Sequence, residues 1–191
     1  RSDGLRPPHM LLYTRFWELD VAELVAALTA IHQARPDVRL VVVGRGEAGE
    51  ERRLADLAAR AGIAEMLDLR GWLEPAQIPA VLASCDLALA PIRDTLINRA
   101  RGMAKLLELL AAGLPVVAGD VGMARAYLDH GAGGILVPPG DPGALAVAAL
   151  RLLNDADVRC TKAAGARVAA ARYAWDALAP AAEAAYRAAM R

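Results

Sequence analysis

Residues 91–119 read PIRDTLINRARGMAKLLELLAAGLPVVAG. An apolar strand, residues 87–90, runs into Pro91; a polar loop follows, then a short helix over 103–112, a glycine stop at Gly113 and a second strand over 116–118. Two apolar strands joined through a helix predict a crossover unit of a parallel sheet. Four cations, Arg93, Arg99, Arg101 and Lys105, stand before or inside the first turn of that helix, and no acid separates the last three. A helix N-terminus already carries partial positive charge, so cations there are unfavourable. Gathering them makes physical sense where an anion such as a phosphate binds. A ligand of nucleotide type is the expectation.

The same alternation extends outward in both directions. Strands are predicted at 11–14, 39–43, 66–69, 87–90, 116–118 and 134–137, with helices at 21–34, 51–61, 75–84, 103–112 and 124–129. After the turn-rich PPGDPG of residues 138–143, only helical patterns remain, over 144–154, 158–171 and about 175–189. Short apolar strands alternating with helices mean a parallel sheet covered on both faces. With right-handed crossovers the expected fold is α/β: a doubly wound, Rossmann-like sheet of about six strands, helices on both faces, and extra C-terminal helices. No repeat or linker divides it, so residues 1–191 are expected to form one domain. In such sheets ligands bind beyond the carboxyl ends of the strands. The loops to inspect are therefore 15–20, 44–50, 70–74, 91–102 and 119–122.

Composition narrows the function. Hydrophobic residues make up 56% of the 191 and charged residues 23%, which describes a globular chain with enough length to bury a core. Lys+Arg and Asp+Glu are 22 each, and this zero balance argues against a general nucleic-acid binder. Two cysteines, Cys85 and Cys160, and three scattered histidines show no metal-ligand spacing, so no metal is expected. Low cysteine usage suits a reducing, cytoplasmic setting. No apolar run reaches membrane-spanning length and no signal peptide is seen. The chain begins at Arg1 with RSDGLRPP and reads as a piece of a longer protein.

Two stretches compete for a phosphate. Gly44-Arg45-Gly46-Glu47-Ala48-Gly49 fits G-x-G-x-x-G between a strand and a helix, with Asp68 at a strand end 24 residues after Gly44. That is the outline of an NAD(P)-binding Rossmann fingerprint. Its chemistry is unsuited, because Glu47, Glu50 and Glu51 crowd the place where pyrophosphate would lie; acids there suit the helix dipole instead. The second is the helix MAKLLELLAA, apolar almost all round and so expected to be largely buried. Its only charges, Lys105 and Glu108, lie three apart on one face, in the poorer order for a helix-stabilising pair. That face is expected to line a cleft, with Lys105 on a phosphate and Glu108 accepting from ribose hydroxyls.

The run from Lys105 to Val117, KLLELLAAGLPVV, resembles the glycosyltransferase family whose helix reads (L/K)xxE-xxAxGxPVV. These are retaining, nucleotide-sugar-dependent enzymes of the GT-B fold (family 4, glycosyl transferases group 1). Further pieces match in order: YTRF at 13–16, RLVVVGRGEAGEE at 39–51, LDLRGWL at 67–73, SCDLALAP at 84–91, GAGGILVPPGDPGALAVAALRLLND at 131–155 and YAWDALA at 173–179. The resemblance implies a C-terminal, donor-binding domain whose N-terminal acceptor domain is absent from this chain. It implies a nucleotide-diphosphate-sugar partner, no metal or other cofactor, no nucleic acid, and peripheral membrane association of the full-length enzyme. By position it implies that Glu108 holds the ribose, Arg15 neutralises the diphosphate with Lys105, and backbone N–H groups around Arg101, Gly102, Met103 and Ala104 cradle it. It sets Gly44, in the strand-to-helix turn, among the donor-binding residues, and Trp72 and Leu73 beside the nucleobase, where Trp72 is either a stacking platform or a core or rim aromatic.

Two departures stand out. Eight residues before Glu108 is Ala100, so the first acid of the family's E-x7-E motif is not in its usual place. The loop from Asp94 to Gly102 is longer and differently built; Asp94 and Asn98 are its candidates for sugar hydroxyls, and Asp94 could equally cap the loop. The family's Lys shortly after the Arg is also missing, with Glu18 and Asp20 in that segment, so Arg99, Arg101 or Lys105 is expected to supply the charge. DTLINR followed by KLLELLAAG resembles a bacterial subgroup. The expected function is donor binding for sugar transfer. The alternatives are a non-catalytic sugar-nucleotide module, or an NAD(P)-binding domain using Gly44–Gly49.

Overall fold

The computed structural model describes residues 7–190. The chain runs β1 (His9–Tyr13), α1 (Val21–Ala34), β2 (Arg39–Val43), α2 (Glu50–Arg60), β3 (Leu67–Gly71), α3 (Ile78–Ala83), β4 (Leu87–Ala90), α4 (Leu96–Ala100), α5 (Ala104–Ala111), β5 (Val116–Gly119), α6 (Ala124–Tyr127), β6 (Gly134–Val137), α7 (Pro142–Asn154), α8 (Ala156–Ala171) and α9 (Trp175–Ala189). The strands form one six-stranded sheet in the order β3-β2-β1-β4-β5-β6, with every pairing parallel. This is the doubly wound α/β architecture that the alternation predicts.

Strand side chains alternate between two cores. Met10, Leu12, Leu40 and Val42 pack with α1, α2 and α7, while Leu11, Val41 and Val43 pack with α3, α5, α6 and α8. Central strands buried on both faces are apolar where they are covered, which is why β4, β1 after His9 and β2 after Arg39 read as unbroken hydrophobic runs. Side chains fix the starts of several helices. Asp20 Oδ1 accepts from the N–H groups of Ala22 and Glu23 to start α1, and Asp141 accepts from Ala144 N–H to start α7 behind Pro142. The α9 helix has no buried residue. No helix among the described residues is long and apolar enough to cross a membrane.

Two expectations change. The helix predicted over 75–84 starts with a separate 3-10 turn, Pro75–Gln77, because Pro75 and a Glu74–Gln77 capping box set the entry before α3 begins. Residues 91–102 are not an open loop, since α4 lies within them. Thr95 starts that helix by accepting from Asn98 N–H at 3.2 Å. Asn98 is 3% exposed, and its amide donates to the carbonyls of Arg93 at 2.8 Å and Glu18 at 3.1 Å. One side chain therefore ties the β4–α5 segment to the β1–α1 turn. Gly122 closes on it from the β5–α6 turn, where a Cβ would lie 2.6 Å from the Asn98 carbonyl oxygen.

Leu28 on α1 is fully buried in the core that α1 shares with α7. Leu28→Ala is expected to cost about 2–5 kcal/mol in urea unfolding, as transfer and cavity terms combine. Asn98→Ala strips the donor from two carbonyls and is expected to cost about 1–3 kcal/mol. Hydrogen exchange should quicken over residues 91–102, well ahead of the sheet.

Candidate functional site

Strand order reverses between β1 and β4: the chain moves outward through β2 and β3, then returns to the other side of β1. Loops that leave neighbouring strands in opposite directions open a crevice at their carboxyl ends. A cleft of about 710 Å³ lies there, with Tyr13, Thr14 and Arg15 from the end of β1, Val43 and Gly44 from β2, Trp72 and Leu73 after β3, and Lys105 and Glu108 from α5. Gly44 lets it form. At φ +122° its backbone suits glycine, and a Cβ would lie 1.7 Å from the Thr14 carbonyl oxygen.

The two ends of the cleft differ in chemistry. Pro75, Ile78, Pro79 and Leu82 make one end apolar, beside Trp72, whose ring is 64% exposed. The other end is charged. Lys105 and Glu108 share one face of α5, while Leu106, Leu109 and Leu110 are buried behind them. The expectation of a largely buried α5 is thus corrected: Ala104, Glu108, Ala111 and Ala112 are exposed, because the cleft runs along that face. Lys105 Nζ stands 5.2 Å from the centre of the Tyr13 ring. Burial pulls the Lys105 ammonium below its ordinary 10.5; Glu18 opposes this, Arg15 adds to it, Glu108 opposes it and Arg101 adds to it. The Tyr13 phenol is pushed above 10.0 by burial and by the Glu108 carboxylate beside its hydroxyl.

Arg15 and Arg101 bring two further cations near Lys105. Arg15 Nη2 pairs with Glu47 Oε1 at 3.0 Å, an exposed contact worth about 0–1 kcal/mol that an incoming anion can displace. The Arg101 guanidinium lies 3.8 Å over the Trp17 ring, and its Nε and Nη2 are buried without a partner. Glu18, 6% exposed, is the buried acid among these charges. Its Oε1 accepts from Thr14 Oγ1 at 2.9 Å and Arg15 N–H at 3.2 Å, and its Oε2 has no partner. No side chain caps the first turn of α5 after its N-cap residue, Met103. The cleft therefore offers apolar side chains to a flat group, cations to an anion and a carboxylate to hydroxyl groups.

Other expected residues are placed elsewhere. Asn98 is not free to meet a sugar, because its amide holds two backbone carbonyls inside the fold. Asp94 and Arg99 are spent on each other: Arg99 Nη2 donates to Asp94 Oδ2 at 2.7 Å on the surface, and Arg99 sits in the last turn of α4, where the dipole favours a cation. Arg93 faces Asp20 at 3.6 Å and Glu23 at 4.0 Å. Of the four cations that suggested an anion, Arg101 and Lys105 remain beside α5. At Gly102 a Cβ would meet the tip of the Tyr127 side chain, its hydroxyl, at 2.6 Å.

The Gly44–Gly49 turn is filled by its own acids. Gly46 N–H donates to Glu51 Oε2 at 3.1 Å and Ala48 N–H to Glu50 Oε2 at 2.8 Å, so the donors a pyrophosphate would use are occupied. Sequence reading overlooked Tyr13, Trp17 and Glu18 as site residues. Tyr13 ends the strand that borders the reversal, a position that marks it once the strand order is known. No group of three or more His, Cys, Asp or Glu among the described residues is arranged to hold a metal ion.

The sequence model of the family described as "Glycosyl transferases group 1" matches residues 7–155. A phosphatidyl-myo-inositol mannosyltransferase of Mycobacterium leprae is 35% identical over 156 residues, 82% of this chain and 39% of that protein. Among solved structures, sucrose-phosphate synthase from Thermosynechococcus elongatus superposes with a TM-score of 0.79 at 26% identity, covering 96% of this chain and 46% of that one. Anabaena Alr3699/HepE, solved in complex with UDP and glucose, superposes with a TM-score of 0.71 at 25% identity, covering 87% of this chain and 44% of that one. The chain spans 39% of the length of the mannosyltransferase it matches, and the matching segment includes the whole sheet and its cleft. The chain belongs to the glycosyl transferases group 1 family.

Proposed function

We propose that this chain is the C-terminal, donor-binding domain of a retaining, family 4 GT-B glycosyltransferase, and that its cleft binds a nucleotide-diphosphate sugar. One observation carries the reading: Lys105 and Glu108 share a face of α5 in a cleft that is apolar at one end and cationic at the other. In this arrangement the base lies by Trp72 and Leu73, the ribose diol donates to Glu108, and the diphosphate meets Lys105, Arg15, Arg101 and the amides at 102–104. The UDP named with HepE supports a nucleotide in this fold. The cations take up negative charge as the bond from sugar to phosphate breaks, which stabilises the transition state more than the ground state. No metal is needed for that step. The acceptor binds a separate N-terminal domain, and the full-length enzyme works in a bacterial cytoplasm with peripheral contact to the membrane. The mannosyltransferase relative, named for a phosphatidyl-inositol acceptor, supports that contact.

A second reading, a domain that binds donor without supporting transfer, is favoured by one feature. Ala100 ends α4 where the family's first acid is expected, and the neighbouring Asp94 is paired with Arg99. Turnover by the full-length protein separates the two. If Glu108→Ala leaves turnover unchanged, the catalytic reading fails.

Calorimetry with UDP, GDP and ADP should find at least one that binds the 191-residue chain, with no sugar transfer by this chain alone. Glu108→Ala should weaken the nucleotide about ten- to a hundredfold, the loss of hydrogen bonds to a charged acceptor, and leave free pyrophosphate unaffected. The pH dependence has a definite sign. Phosphate favours protonated Lys105, so the Lys105 contribution is full near neutral pH and affinity falls as pH rises through a value below 10.5. Lys105→Met should weaken binding and remove that alkaline limb; an unchanged limb would count against Lys105 as a phosphate ligand.

A further inference from the structure

We propose that Trp17 is a positioning residue, holding the Arg101 guanidinium beside Lys105 so that Arg101 delivers the second cation to the donor diphosphate. The inference rests on the donor-binding reading above and extends it to residues that reading leaves unassigned. Its starting point is a vacancy in charge. After Arg15 the β1–α1 turn offers Glu18 and Asp20 and no Lys or Arg. Asp20 is fully committed, capping α1 through Ala22 and Glu23 N–H and facing Arg93 at 3.6 Å. A diphosphate would therefore meet only Arg15 and Lys105, unless a cation arrives from another element.

Arg101 arrives from the α4–α5 connection, on the opposite side of the strand reversal. Its guanidinium carbon lies over Trp17, 3.8 Å from the ring centre. A ring at that distance attracts the guanidinium and holds it in place without taking up its N–H groups as hydrogen-bond donors. Nε and Nη2, which together form a two-pronged donor, have no partner among the described residues and are shielded from solvent. Buried guanidinium donors left unpaired are costly, so a site that keeps two of them side by side is suited to a bidentate anion. Burial draws Arg101 below its ordinary range, and the buried Glu18 carboxylate opposes that. The loop that bears Arg101 is held by Asn98 on the Glu18 carbonyl, so Trp17, Glu18 and Arg101 form one assembly. Trp17 itself is 48% exposed, more than core packing alone requires of so large a ring.

Calorimetry of the 191-residue chain with UDP, and with uridine as the phosphate-free control, tests this. Arg101→Ala should weaken UDP about tenfold and leave uridine unchanged. Trp17→Leu, which keeps apolar bulk and loses the aromatic face, should produce a similar loss with little change in melting temperature. Trp17→Phe should stay within about threefold of wild type. The double variant Trp17→Leu/Arg101→Ala should bind UDP no more weakly than Arg101→Ala, because the ring acts through the guanidinium. Arg101→Lys, which keeps the charge without the planar fork, should also lose affinity, and it decides the matter without altering Trp17 should Trp17→Leu fail to fold. Wild-type affinity in Trp17→Leu or Arg101→Lys, or additive losses in the double variant, would overturn the proposal while leaving the donor-binding reading intact. A wild-type chain that binds none of UDP, GDP and ADP would overturn that reading and this one together.

Discussion

Like charges gather only where something holds them, and at the end of this sheet the holder is Glu18. Arg15, Arg101 and Lys105 all act on the same region, and cations a few ångströms apart repel by about 1 kcal/mol or more per pair, more where water is excluded. The Glu18 side chain sets a buried negative charge among them and is itself fixed by Thr14 Oγ1 and Arg15 N–H. Its carbonyl accepts from Arg93 N–H and from the Asn98 amide, so its main chain grips the opposite loop. One residue thus joins the two walls of the site by backbone and balances its charge by side chain. The turn that presents it carries local strain: Phe16 sits at φ 70° with its ring fully buried. A non-glycine residue in the left-handed region costs roughly 1 kcal/mol or more, which packing and the Thr14–Glu18 bonds must offset.

The cleft follows from topology before any side chain is considered. Reversal of strand order beside β1 leaves a gap that neighbouring loops cannot fill. What fills it is a matter of composition. Trp72, Ile78 and Pro79 supply a dry end, and Lys105, Glu108 and Arg15 a wet one. A ligand that is itself divided, flat and apolar at one end and multiply anionic at the other, matches both ends at once. An anion alone would leave the apolar end exposed to water, and a hydrophobic ligand would leave the cations uncompensated.

Some of this was legible without coordinates. The i,i+3 spacing of Lys105 and Glu108 on an otherwise apolar helix marked the face that now lines the cleft, because helical periodicity is a local property. The crowd of Glu47, Glu50 and Glu51 likewise ruled against a dinucleotide in the glycine turn, and the structure shows two of these acids taking the amides themselves. Polar side chains in the 91–102 segment were read less well. Asn98 looked like a sugar ligand and is a buried tie; Asp94 and Arg99 looked like ligands and are an ion pair closed by α4. An amide or a carboxylate has the same composition whether it faces a ligand or a carbonyl, and a five-residue helix inside a polar loop carries too weak a pattern to announce itself.

The alternation of strands and helices, the parallel sheet with two cores, and the placing of a cation and an acid on one face of α5 are readable from the chain's own pattern. These depend on period, turn chemistry and caps, which act over a few residues. Which charges remain open to a ligand depends on the folded arrangement. Arg93 and Arg99 are neutralised by partners that the folded chain brings near, Arg15 is lent to Glu47 from 32 residues away, and Arg101 is set against Trp17 across the strand reversal. Electrostatic and stacking energies depend on separation in space, and separation along the chain says little about that until the sheet has closed.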